Sequence, residues 1–103
     1  MERIINETMV IAHQHFKKFG FENEQLVPLL ESGKRDLTKE LTKLQKLLEE
    51  EVIDIDKINL STHALKGLFL TMGNVTVADK LIEIRYDSET THMITKIKLL
   101  LDI

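Results

Sequence analysis

A helical pattern of apolar residues along positions 26–48 constrains the fold more than any other feature of this 103-residue chain. The pattern recurs every three or four residues, at Leu26, Leu30, Gly33, Leu37, Leu41, Leu44 and Leu48. Since an α-helix has about 3.6 residues per turn, all of them lie on one face of one helix. Gly33 lies on that face and indicates close packing rather than a helix break. We expect the helix over about residues 24–50, with its regular part starting nearer residue 27, because Pro28 is tolerated only in a first turn.

Two further amphipathic segments lie near the ends of the chain. We expect a first helix over about residues 2–18 and a last one over about residues 89–101, opened by Asp87 and Ser88. The inward-facing positions are Ile5, Met9, Ala12, Phe16 and Phe19 in the first helix and Met93, Ile94, Ile97, Leu100 and Leu101 in the last. Both sets recur at helical spacing, so each helix has one apolar face to bury.

Two more helices are expected between these segments. One covers about residues 55–72 and stops at Gly73 and Asn74. The other begins with Thr76 as its N-cap, because Asp79 three residues later makes a capping-box-like pair with it. Its apolar side is formed by Val77, Ala78, Leu81 and Ile84.

Together the five helices predict an all-α protein. Short connections make successive helices antiparallel neighbours, so we expect an antiparallel four-helix up-and-down bundle with an additional N-terminal helix packed across it. The length fits a single domain, residues 1–103. The leucine spacing is also close to the repeat of about 3.5 residues in a coiled-coil oligomer. The other apolar helical faces favour an intramolecular core instead, and we expect a monomer.

Composition argues against several classes of function. The formal net charge of −3 disfavours nucleic acid as the main partner, because binding to a phosphate backbone needs a basic face. There is no cysteine and hence no disulfide framework. No apolar run is long enough for a signal peptide or a membrane span. We therefore expect a cytoplasmic protein that binds neither nucleic acid nor membrane.

One histidine has unusual neighbours. On the helix expected over residues 55–72, His63 is followed three residues later by Lys66 and four residues later by Gly67. Those two positions lie beside it on a helical surface. Glycine inside a helix costs about 1 kcal/mol relative to alanine, so Gly67 indicates that space beside the imidazole is kept open for something large. Lys66 would supply positive charge there, and an uncharged imidazole is a nucleophile.

The helical phase directs His63 away from the core. At about 100° per residue, the core side is formed by Ile58, Leu65, Leu68, Phe69 and Met72. The residues on the side of His63 are Asp56, Asn59, Leu60, Lys66, Gly67 and Leu70. Leu60 and Leu70 flank the histidine, so together with Gly67 we expect them to bind a partner protein, with Leu60 half buried against a neighbouring helix.

This segment resembles the histidine-containing phosphotransfer (HPt) domain, whose motif runs roughly H-x-L-K-G-S-x-x-x-x-G. The residues that match are His63, Leu65, Lys66, Gly67 and Gly73. Leu68 departs from the motif, because the family often has a small polar residue there. The motif segment covers residues 63–84, and the helical layout extends the likeness to most of the chain.

The resemblance implies a carrier of phosphoryl groups in a two-component phosphorelay. His63 would accept a phosphoryl group from an aspartyl phosphate on one receiver domain and pass it to another, while Lys66 assists and Gly67 keeps the approach clear. The phosphorylatable aspartate and Mg²⁺ would belong to the receiver partner. We therefore expect no cofactor or metal on this chain and no autonomous kinase activity. A hybrid sensor kinase would be a further partner.

Simpler interpretations of these residues stay open. His63 is also consistent with a surface histidine that has no role, and Lys66 with a solvated lysine. Gly67 would also permit close packing of a second helix, although its direction near His63 and off the core face weakens that interpretation. Gly73 is more readily a helix terminator than a site residue. The remaining histidines, His13, His15 and His92, lack the spacing of a metal site and are expected to be structural or exposed.

Two other classes of protein are compatible with the same sequence. The first is a non-catalytic helical interaction module, in which the motif is accidental or decayed. The second is the His-bearing domain of a larger sensor kinase. Met1 and the absence of linker sequence at either end favour a free-standing protein.

Overall fold

The computed structural model describes residues 1–85 and 89–103, and within them the chain forms five α-helices and no strand. The helices are α1 (Glu2–Lys18), α2 (Asn23–Glu49), α3 (Ile55–Thr71), α4 (Val75–Arg85) and α5 (Thr90–Leu101). The all-α prediction is confirmed, and the expected ranges of α1 and α3 agree with the structure to within one residue. The expected opening of the last helix by Asp87 and Ser88 lies outside the described residues.

The leucine-rich helix α2 sets the long dimension of the molecule. Its 27 residues span roughly 40 Å at about 1.5 Å per residue, and the overall extents are 45 × 21 × 21 Å. Each helix packs on the next in chain order. The predicted stripe residues Leu37, Leu41 and Leu44 are fully buried in the core. None of the five described helices is long and apolar enough to cross a membrane.

Helix α2 begins at Asn23, within one residue of the expected start at about 24. Its regular part begins there rather than near residue 27, and Pro28 lies inside it. The reason is the turn before it, where the Gln25 side-chain oxygen accepts a hydrogen bond from the Glu22 backbone N–H at 3.0 Å. Pro28 removes only the N–H that would bond the Glu24 carbonyl. Both residues are exposed, so water can satisfy that carbonyl.

The turn between α3 and α4 is built by Gly73 and Asn74. Gly73 has φ +85°, its N–H donates to the Leu70 carbonyl, and the Asn74 N–H donates to the Phe69 carbonyl. This pattern is a Schellman motif, which ends α3 as predicted.

The expected N-cap of α4 at Thr76 is wrong. The side-chain oxygen of Asn74 instead accepts a hydrogen bond from the N–H of Val77 at 3.4 Å, so the buried amide caps the helix two residues earlier.

Helix α1 is held to the same turn. The Asn74 side-chain amide donates to the Thr8 hydroxyl at 3.0 Å, and both side chains are buried. Thr8 lies on the inner face of α1 beside Ile4, Ile5 and Ala12, where the sequence suggested only apolar residues.

The predicted inward position of Phe19 is wrong. This residue is the C-cap of α1 and lies beyond its last helical turn, and its side chain is 71% exposed.

Gly33 and Met72 form a close contact between α2 and the end of α3. A β-carbon at position 33 would lie 3.0 Å from the Met72 sulfur. That distance is shorter than ordinary van der Waals contact, so a larger residue would require the Met72 side chain to shift. The close packing predicted for Gly33 is therefore confirmed.

Candidate functional site

The helical phase predicted for α3 agrees with the structure. The core side is formed by Ile58, Leu65 and Phe69, each fully buried, and by Met72, which is 2% exposed. His63 lies on the opposite side and is exposed to solvent. Its imidazole is therefore accessible from solvent.

A polar contact with α2 helps to fix the rotation of α3 about its axis. The buried Ser61 hydroxyl donates to a side-chain oxygen of Glu40 on α2 at 3.0 Å. The buried Thr62 hydroxyl donates to the Asn59 carbonyl one turn earlier, at 3.1 Å. Because Ser61 is tied to α2, the two residues that precede His63 face inward and His63 itself is directed to solvent.

Gly67 leaves open space beside the histidine. A β-carbon at this position would meet no atom within 4 Å, in contrast to Gly33. The structure therefore contradicts the interpretation that Gly67 permits close helix packing. Lys66, the other neighbour of His63 on α3, is half-buried. A lysine in that setting packs its aliphatic stem on the protein and keeps its ammonium group in water.

Two depressions flank His63. A cleft of about 210 Å³ is lined by Thr62, His63, Lys66, Leu81, Ile82 and Arg85, and therefore lies between α3 and α4. A more open depression of about 430 Å³ is lined by Asp56, Asn59, Leu60, His63 and Arg85. His63 and Arg85 are common to both. The structure thus brings His63 and Lys66 together in one cleft, as the helical spacing predicted.

Arg85 was not singled out in the sequence, although a signal for it is present. His63 lies ten residues before Gly73 and Arg85 lies twelve residues after it. In two helices joined by a tight turn, residues equidistant from the turn lie at the same level. Counting outward from Gly73 would therefore have placed Arg85 within about two residues of the level of the histidine, once the turn itself was known.

The rim of the site carries exposed apolar side chains. Leu60 is 70% exposed, Leu70 is 42% exposed and Ile82 is 37% exposed. The expectation that Leu60 is half buried is wrong, because none of the described helices covers its side chain. Ile82 on α4 was not predicted, and it lines the cleft beside the histidine.

Gly73 lies outside the site. At about 1.5 Å per residue along a helix, it is roughly 15 Å from the level of His63. Its positive φ and its Schellman hydrogen bonds support the interpretation as a helix terminator. Its match to the HPt motif therefore concerns the shape of the helix end rather than the chemistry at the histidine.

The other histidines are dispersed. His13 is exposed on α1, and His92 lies 3.3 Å from the Glu89 carboxylate on the surface of α5. Within residues 1–85 and 89–103, no group of three or more His, Asp or Glu side chains is placed to hold a metal ion. Comparison of the chain with protein-family models, with curated proteins and with solved structures found no match.

Proposed function

We propose that this protein is a histidine phosphotransfer protein of the HPt type, which carries a phosphoryl group on His63 between receiver-domain aspartates. The observation that carries the proposal is the set of groups around one exposed histidine, His63. Gly67 leaves open space beside it, and Lys66 and Arg85 line the same cleft. Phosphoryl transfer to a nucleophile needs room for in-line approach and positive charge near the phosphoryl oxygens. Both requirements are met beside His63.

The proposal includes the finer architecture, in which α2 to α5 form an antiparallel four-helix up-and-down bundle and α1 packs across one end. The packing of each helix on the next in chain order supports this arrangement. So does the tight Gly73–Asn74 turn between α3 and α4. The hydrogen bond from Asn74 to Thr8 is consistent with α1 lying across that turn.

The transfer would be an in-line displacement at phosphorus. The unprotonated ring nitrogen of His63 attacks the aspartyl phosphate, and its lone pair forms the P–N bond. The P–O bond to the donor carboxylate breaks, and its electron pair leaves on that carboxylate. The second ring nitrogen keeps its proton. In the next transfer a carboxylate oxygen of the acceptor attacks the same phosphorus, and the P–N electron pair returns to the imidazole.

The partner surface would consist of the apolar rim formed by Leu60, Leu70 and Ile82, together with the open position at Gly67. Exposed apolar side chains around a polar reactive centre are typical of a docking surface for another protein. By the HPt resemblance, that partner is a receiver domain that supplies the aspartate and Mg²⁺, and a hybrid sensor kinase would be a further partner. We propose a single-domain cytoplasmic monomer for which nucleic acid and membrane are not partners.

A non-catalytic interaction module is the alternative function. It is favoured by the same exposed rim, since Leu60, Leu70 and Ile82 would bind a partner whether or not His63 reacts. A third possibility keeps the chemistry and makes this chain the His-bearing domain of a larger sensor kinase. Labelling of the histidine separates the first alternative from the proposal.

The test is transfer of radiolabelled phosphate from phosphorylated receiver domains of the same genome. We expect the wild-type protein and a His13→Gln variant to take up label, and His63→Gln to take up none. His63→Gln should melt within a few degrees of wild type, because His63 is exposed and substitutions at such positions change stability little. The label should be acid-labile and alkali-stable, as expected of a phosphoramidate bond.

Two results would contradict the proposal. Label that persists in His63→Gln would mean that the site is wrong. Receivers that bind the wild-type protein without labelling it would support the non-catalytic interaction module.

A further inference from the structure

Arg85 is the charged residue that the two depressions beside His63 share. It is the last residue of α4, whereas Lys66 is on α3. The cleft between these helices therefore has a cation on each wall, and the imidazole opens into it. The other lining groups are the apolar side chains of Leu81 and Ile82 and the Thr62 hydroxyl, which already donates to a backbone carbonyl.

Within the described part of the chain neither cation forms an ion pair with a carboxylate, although Asp56 lines the more open depression together with Arg85. In residues 1–85 and 89–103, Met1, Arg3 and His92 each lie in an ion pair with an acidic side chain, whereas Lys66 and Arg85 do not. A surface that gathers two such cations beside a histidine attracts an anion. Phosphorylation would add a group of about −1.5 to −2 charges with three acceptor oxygens.

We propose that Arg85 binds the phosphoryl group on His63, from the wall of the cleft opposite Lys66. This inference rests on the proposed function and adds a second residue that touches the reacting group. A guanidinium is suited to this task, because its planar set of N–H donors can bind two phosphoryl oxygens at once, which an ammonium group does not do. The contact exists only in the phosphorylated protein, so it stabilises that form relative to the free histidine.

The stabilisation shifts the equilibrium between a phosphorylated receiver and this protein. When the two proteins are dilute enough to be separate, that equilibrium depends only on the free proteins and not on contacts in their complex. Removing the guanidinium should therefore move the phosphoryl group toward the receiver. For a partly exposed, charge-assisted contact we expect a shift of about three- to tenfold.

Arginine side-chain resonances give a direct test that needs no receiver. The chain has three arginines, Arg3, Arg35 and Arg85. Phosphoramidate can phosphorylate the histidine chemically: the ring nitrogen attacks phosphorus, and ammonia leaves with the electron pair of the broken P–N bond. We expect the Nε–H resonance of Arg85 to move on phosphorylation, while those of Arg3 and Arg35 stay in place. An Arg85→Lys variant assigns the peak by its loss.

The second measurement compares the transfer equilibrium of Arg85→Gln with that of Lys80→Gln. Both changes remove one positive charge from α4, but Lys80 is exposed and lines neither depression. We expect Arg85→Gln to shift the equilibrium toward the receiver and Lys80→Gln to leave it unchanged. Arg85→Lys should shift the equilibrium less than Arg85→Gln does, because lysine keeps the positive charge but lacks the planar set of N–H donors.

The outcomes separate this inference from the proposed function. If His63 takes up phosphate and neither the Arg85 resonance nor the equilibrium responds, the role of Arg85 is wrong and the carrier function stands. If phosphoramidate labels His63 and moves the Arg85 resonance but no receiver exchanges the group, the anion site is supported and the carrier function is wrong. If Arg85→Gln and Lys80→Gln shift the transfer equilibrium equally, the effect comes from the overall charge of the protein and the inference is overturned.

Discussion

The side chain of His15 occupies the space that a β-carbon on Gly73 would need. A β-carbon at position 73 would lie 2.5 Å from Cγ of His15 and 2.7 Å from its Nδ1. The imidazole is also edge-on to Phe19, with ring centroids 4.9 Å apart. The end of α1 therefore packs directly on the turn that joins α3 to α4, and His15 has a structural role there.

Replacing Gly73 by alanine should destabilise the protein more than the same change at Gly20. The two glycines have nearly the same backbone conformation, with φ +85° and +86°, but a β-carbon at Gly20 would meet nothing within 4 Å. We expect Gly20→Ala to cost about 1 kcal/mol from the left-handed backbone alone. Gly73→Ala should cost about 2–4 kcal/mol, because His15 must also move.

Thermal or urea unfolding of the two variants measures this difference. A double change, Gly73→Ala with His15→Ala, should recover the part that comes from the clash. Equal losses at Gly20 and Gly73 would mean that His15 does not pack on the turn.

Gly67→Gln should abolish phosphoryl transfer without loss of stability. The backbone there is helical and the position is open to solvent, so a side chain would gain up to about 1 kcal/mol of helix propensity. The same side chain would fill the space beside His63 through which a receiver must approach. Melting curves and transfer rates check both effects. Normal transfer by a folded Gly67→Gln variant would contradict the proposed approach.

Lys66→Ala should slow phosphoryl transfer by about tenfold and leave the protein folded. A cation one helical turn from the histidine lowers the energy of the added negative charge, and about 1.4 kcal/mol of transition-state stabilisation corresponds to tenfold in rate. Lys57→Ala is the matched control, since Lys57 is exposed on the same helix and lines neither depression. Single-turnover transfer rates distinguish the two variants. Equal rates for both would make Lys66 a solvated side chain.

Leu70→Glu should weaken receiver binding by about tenfold or more, with little change in stability. The substitution removes apolar contact area and adds a charge at the rim of the site. Leu99→Glu provides a control for adding the same charge, because Leu99 is 73% exposed on α5 and lines neither depression. Binding titrations with a receiver domain measure the effect. Should Leu99→Glu weaken binding as much as Leu70→Glu, the docking surface would not be centred on His63.

The rotation of α3 could be predicted from the sequence because its apolar residues leave one choice of core face. Ile58, Leu65 and Phe69 recur at helical spacing, and burying them directs His63 outward. The same reasoning gave the correct extent of α1, where the apolar stripe ends close to Gly20. These features depend on local periodicity, which a single sequence records directly.

Features that depend on a contact between distant residues could not be predicted in the same way. Thr76 and Asp79 have the spacing of a capping box, but Asn74 caps α4 because Thr8 on α1 holds its amide in a buried position. Arg85 lines the cleft with His63 only through the packing of α4 on α3. Neither relationship is marked by the residues immediately around it in the chain.

The open space at Gly67 has a consequence for how this protein would respond to selection. In a library of variants sorted only for survival of heating, larger residues at position 67 would be enriched, because they favour the helix and clash with nothing. In the same library sorted for phosphoryl transfer, they would be lost. Under the proposed function, the most stable descendants of this sequence would therefore be the ones that have filled the approach to His63.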